Sequence, residues 1–239
     1  MSGRLRGQSD VVGVAILLGV TVVALGSLTA SIGAVVDSNA ATADANRVAA
    51  DLDRALEPVE TTGVNRGRIS FSRGELRTVE RDLRVLDANG VVRRVRVDAL
   101  VFTTENRRVA FLAGAVVRGA GKGGRMVTRP PVTASPDVLV VGAPELDASD
   151  FAIASTTGKS VVLGTDVTHN RTTLGDGRYR VAVETATPGA WRRYFERANA
   201  TVTTRNFDDD GVDSVVATYP GERMAYLVVH EMRLEVAHG

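Results

Sequence analysis

Cysteine is absent from the 239 residues, which excludes a disulfide framework, a thiolate metal site and a cysteine nucleophile. Lysine stands only at Lys122 and Lys159, so arginine carries almost all the positive charge. Histidine occurs only at His169, His230 and His238, with no H-E-x-x-H spacing, and there is no G-x-S-x-G elbow. No triad or acid–base pair can be assembled from motifs, so a non-enzymatic protein is expected. A basic excess is also lacking. The 29 basic residues face 28 acidic ones and leave a formal charge of +1, which argues against a nucleic-acid partner.

The charge is unevenly placed. Residues 1–7, 8–61 and 62–239 carry +2, −5 and +4, and between Asp10 and Asp37 there is none. The run Val11 to Val36, VVGVAILLGVTVVALGSLTASIGAVV, is 26 residues long and free of proline. As a helix it extends about 39 Å, against a bilayer hydrocarbon core of about 30 Å. It reads as one membrane-spanning helix in contact with lipid. Arg4 and Arg6 precede it, whereas Asp37, Asp44, Asp51 and Asp53 follow. This asymmetry predicts a single-pass protein with a cytoplasmic N-terminus and an external C-terminal part. A secretory signal cut near Ala41-Thr42-Ala43 is the competing reading, but its apolar region should be about 7–15 residues.

Within the span, Gly19, Gly26 and Gly33 recur every seven residues and share nearly one helix face. Ala15 lies four residues before Gly19, and Ala30 four after Gly26. Such small-xxx-small spacing lets helix backbones approach closely within a membrane.

The stretch Arg4-Leu5-Arg6-Gly7-Gln8-Ser9-Asp10, followed at once by Val11 to Leu18, resembles the N-terminus of archaeal type IV pilin-like proteins. The resemblance implies a class III signal peptide, residues 1–7, removed by a prepilin peptidase between Gly7 and Gln8. The helix would then stay on the mature protein, anchored in lipid or packed against other pilin-like subunits in a surface filament. Many such pilins place Glu at the fifth mature position, where this chain has Val12; its nearest acid is Asp10.

Beyond the span, Ala45, Val48, Ala49, Leu52 and Leu56 form an apolar stripe of helical period, and Pro58 stops it. The long helix is therefore expected over residues 8–57, spanning the membrane over 11–36. Residues 62–239 read as a β-rich head. Val91, Val95, Val97, Ala99 and Val101 share one parity, and Tyr179, Val181 and Val183 alternate with polar neighbours as in a half-buried strand. Val109–Val117, Val138–Val141, Val161–Leu163 and Ser214–Tyr219 are further β-rich runs. The last stretch sets Met224, Tyr226, Val228, Met232, Leu234 and Val236 on one face, with His230 on the same apolar parity. One helix follows an N-cap Thr187 and Pro188, with Trp191, Tyr194, Phe195 and Ala198 on one side. The fold class is thus α+β, with a mainly antiparallel head and one short amphipathic helix.

Gly119-Ala120-Gly121-Lys122-Gly123-Gly124 formally satisfies G-x-G-x-x-G, but Arg129-Pro130-Pro131 soon after cannot open the helix that dinucleotide binding needs. A flexible loop is expected there. Glu75 to Asp87, Glu184 to Trp191 and the C-terminal strand also resemble a membrane-anchored family of halophilic archaea, a resemblance that implies no particular activity. Asp208, Asp210 and Asp213 flank Gly211 and offer hard oxygen ligands for Ca²⁺, although the full EF-hand pattern is missing. No other cofactor is expected. Asn170-Arg171-Thr172 and Asn199-Ala200-Thr201 are N-glycosylation sequons. The sequence thus leads to a pilin-like surface protein. A membrane-anchored, adhesin-like binding module is the alternative, and a tethered hydrolase is the third reading.

Overall fold

The computed structural model describes residues 6–56, 59, 61–148 and 150–238. Two compact units divide at Ala40/Ala41. One helix, α1 (Arg6–Leu56, 51 residues), contributes to both. It starts before the uncharged run and takes in Gly7 to Asp10; Pro58 lies outside the described residues. In the first unit every described side chain from Val12 to Val36 is exposed. Among the described residues α1 alone is long and apolar enough to cross a membrane, with a mean hydropathy of 2.3 over its most apolar window.

The second unit holds sixteen strands and a second helix, α2 (Pro188–Arg197), among the described residues. A first sheet is built from β1 (Gly63–Phe71), β9 (Val132–Ala134), β10 (Val138–Ala148), β12 (Lys159–Gly177) and β16 (Arg223–His238), in the order β1-β12-β16-β10-β9. Its pairs are antiparallel except β10 with β16, which run parallel. A second sheet has the order β11-β2-β5-β6-β7-β8, from β2 (Gly74–Val79), β5 (Ala99–Thr104), β6 (Arg107–Leu112), β7 (Ala115–Arg118), β8 (Arg125–Thr128) and β11 (Ala152–Ser155). The third, β14-β15-β13-β3-β4, comprises β3 (Asp82–Leu86), β4 (Val91–Arg96), β13 (Arg180–Glu184), β14 (Thr201–Arg205) and β15 (Ser214–Thr218).

Two cores result. One joins Val101, Ala110 and Val117 of the second sheet to Val181, Val183 and Val215 of the third, with Trp191 and Phe195 of α2 closing it. The other sits between Leu100, Phe102 and Phe111 of the second sheet and Ile69, Leu163 and Met232 of the first. Val48, Leu52 and Leu56 of α1 fill this second core, as their spacing predicts.

Several strand assignments read from the sequence change in the structure. The run 91–101 is two strands in different sheets, because Asp98 takes φ +31° and turns the chain. The run 109–117 is a hairpin: Ala113 (φ +46°) and Gly114 (φ +78°) reverse it between β6 and β7. β13 is buried on both faces, since Ala182 packs with Leu86 and Val216 behind the main core. β16 does not keep one buried face. Ala225 and Leu227 enter the first core, whereas Met232 and Leu234, of opposite parity, enter the second. A strand long enough to serve two cores changes its buried face on the way, so Met224, Tyr226 and Val228 stay only half-buried. The 119–124 segment holds a 3₁₀ turn at Gly121–Gly123 against α2. Arg193 donates to the carbonyl of Lys122 at 3.2 Å and to that of Gly124, so this loop is tied down.

Candidate functional site

The apolar half of α1 manages its own polar groups. Thr21, Ser27, Thr29 and Ser31 each donate their hydroxyl to the carbonyl four residues earlier, at 2.8–2.9 Å. The four hydroxyls between Val12 and Val36 are thus satisfied within the helix. Ala15, Gly19, Gly26, Ala30 and Gly33 are exposed, and a Cβ built on any of the three glycines meets nothing within 4 Å. The Gly7–Gln8 bond lies in the first turns of α1; residues 1–5 of the expected leader are outside the described residues.

The last turns of the helix, from Ala41, belong to the head and are fixed there by carboxylates. Asp44 and Asp51 are seven residues apart, so they share a helix face, and they are 3 % and 8 % exposed. Asp44 accepts from the backbone N–H of Ser72 at 2.9 Å, from that of Arg73 at 3.1 Å and from the Ser72 hydroxyl at 3.1 Å. Asp51 accepts from the Ser70 N–H at 3.1 Å. β1 is an edge strand of its sheet; Asp51 takes one of its backbone donors, and Asp44 takes those of the turn that follows it. Asp53 receives the Thr128 hydroxyl, and Asn46 receives Arg118. Gly67 of β1 completes the fit, because a Cβ there would stand 2.1 Å from the Ala55 Cβ. Gly67→Ala is accordingly expected to lower head stability by about 1–3 kcal/mol through overpacking, read as a shift in denaturation midpoint. Sequence reasoning found the apolar stripe and missed this clamp. The available signal was the seven-residue spacing of two acids on the buried side of that stripe.

A second concentration of charge lies on the third sheet. Asp82, Glu184 and Asp208 bring one oxygen each within 4.8 Å of one another. Arg84, only 3 % exposed at its side chain, reaches all three: Asp82 at 2.7 Å, Glu184 at 3.5 Å, and Asp208. Arg94 binds Asp82 at 2.5 Å, and Arg81 lies 3.4 Å from Glu184. Burial raises the pKa of Glu184, with Arg81 and Arg84 pulling the other way. The guanidinium of Arg84 also sits 5.0 Å from the centre of the Phe207 ring. Of the three candidate Ca²⁺ ligands, Asp208 belongs to this group and turns to Arg84, whereas Asp210 accepts from the Val212 N–H at 2.9 Å. Arg84 and Arg94 pair with the carboxylates at this place.

Over residues 6–235 the sequence matches the family of unknown function DUF7289, a span that takes in the apolar helix and nearly all of the head. The chain belongs to this family. No curated protein and no solved structure gives a match.

In this DUF7289 member the sequons stand on exposed residues. Asn170 lies in β12, and Asn199 follows α2 with φ +64°. That left-handed conformation ends the helix, with the Asn199 N–H donating to the Glu196 carbonyl at 3.1 Å. Trp191 is fully buried with Phe195, its ring centre 5.8 Å away, which rules out a sugar-stacking role on the surface. His230 is buried, as its parity suggested, and its partner is His169, the residue directly opposite in the β12–β16 ladder. The side chain of His238 is outside the described residues.

Proposed function

We propose that this DUF7289 member is a non-enzymatic, type IV pilin-like cell-surface protein. It is held in the membrane, or assembled into a filament with other pilin-like subunits, through α1, and its head lies outside the cell. The observation that carries this reading is a single helix whose uncharged run is exposed from Val12 to Val36, while its later turns are fixed in the head by buried Asp44 and Asp51. Exposed valine, leucine and isoleucine along 25 consecutive described residues are costly in water, and lipid or neighbouring helices remove that cost. The motif ending at Gly7-Gln8 supports processing by a prepilin peptidase before the helix. The test is N-terminal sequencing of the protein isolated from its native membrane. A start at Gln8 is expected; a start near Asp44 would sink the proposal.

Val12, at the position where many pilins carry Glu, favours one alternative: an anchored, adhesin-like binding module that does not polymerise. The two readings part at the glycine face. If α1 packs in a filament, Gly19→Ile, Gly26→Ile and Gly33→Ile together abolish surface fibres while the head is still displayed. A lone anchor tolerates them.

A further inference from the structure

We infer that His169 and His230 form a chelating site for a divalent transition-metal ion with cis nitrogen ligands, of the Cu²⁺ or Ni²⁺ type. The two imidazole Nδ1 atoms are 3.0 Å apart, the rings stand edge to face at 85°, and the residues are directly opposed across β12 and β16. Two nitrogens each about 2.0–2.1 Å from one ion lie about 2.9 Å apart at a right angle and about 3.3 Å apart at the tetrahedral angle. The observed 3.0 Å is the separation of an imidazole–imidazole hydrogen bond and is also short enough for both nitrogens to reach one ion; the preference for Cu²⁺ and Ni²⁺ follows from the two imidazole donors.

The frame holding the pair is stiff. The β12–β16 ladder continues without a break from Val161/His238 to Thr173/Tyr226, with the histidines inside it, and Pro144 of β10 lies opposite His230 on the other side. His230 is 6 % exposed, whereas His169 is exposed and open to an ion from solvent. On the same face, two residues along each strand, stand Val167 and Arg171 of β12 and Val228 and Met232 of β16. Arg171 is the one charged group among them, and its guanidinium is held over the Tyr226 ring at 4.2 Å. Water completes the coordination from the exposed side.

Without metal, the contact is a hydrogen bond in which one ring donates and the other accepts, and an ion would replace it by taking a lone pair from each ring. The experiment titrates the detergent-solubilised full-length protein with CuCl₂ and NiCl₂, followed by calorimetry and by thermal unfolding. Affinity should follow Cu²⁺ > Ni²⁺ and exceed that for Zn²⁺. His169→Gln, at an exposed position, should weaken binding at least tenfold and abolish the metal-induced rise in Tm. His238→Gln should leave both unchanged. Equal affinity in wild type and His169→Gln, or no binding to the wild type, overturns the inference.

Discussion

Exchanging Arg84 for Met should destabilise the head by about 3–5 kcal/mol, the scale found when one member of a buried ion network is removed. The loss comes from what is left behind. Asp82, Glu184 and Asp208 would keep their carboxylates within 4.8 Å of one another with only Arg94 and Arg81 to balance them. The pH dependence has a definite sign. Glu184 already has a raised pKa from burial, so in the window between its unfolded and folded values the native state binds more protons than the unfolded one, and stability falls as pH rises. Removing Arg84 lifts that folded value further. The deficit of Arg84→Met relative to wild type is therefore largest at neutral pH and shrinks as pH drops through the carboxylate range. Paired urea melts at pH 7 and pH 4.5 measure it; an equal deficit at both would show that the carboxylates are not its source.

Trp191→Ala should cost about 3–5 kcal/mol, the usual penalty for emptying a large aromatic site in a core. Trp191 is fully buried and joins α2 to all three sheets through one core. For a head of this size each kcal/mol lowers Tm by about 2–4 °C, so a fall of about 6–20 °C is expected in a thermal melt. Trp191→Phe should cost much less. The indole Nε1 makes no hydrogen bond among the described residues, so the smaller ring forfeits packing volume but no polar partner. If Phe proved as damaging as Ala, a hidden partner of the indole would have to exist.

What the sequence disclosed was whatever depends on local period. The uncharged run, the stripe Ala45-Val48-Ala49-Leu52-Leu56 and the face Trp191-Phe195 are all readable because a helix repeats over a few residues, and each is where the spacing puts it. Failures arose where a long-range partner decides. Asp98 is an ordinary residue in a strand-like run until the chain must leave one sheet for another. β16 looks uniform in sequence, yet it serves two cores on opposite faces. Glu184 and Asp82 stand about a hundred residues apart and meet only because β13 pairs with β3. His169 and His230 are likewise joined by strand register alone. Asp44 and Asp51, read as markers of membrane polarity, also accept from the turn after β1 and from Ser70 within it, contacts that no local pattern announces.

The central claim is that α1 remains in the finished protein and holds the head to a membrane. Alkaline carbonate extraction of native membranes, with intact mass measured on the recovered chain, tests it most directly. The protein should stay in the membrane pellet with a mass that includes residues 8–40, and detergent should release it. Recovery of the helix-bearing chain in the carbonate supernatant would contradict the account.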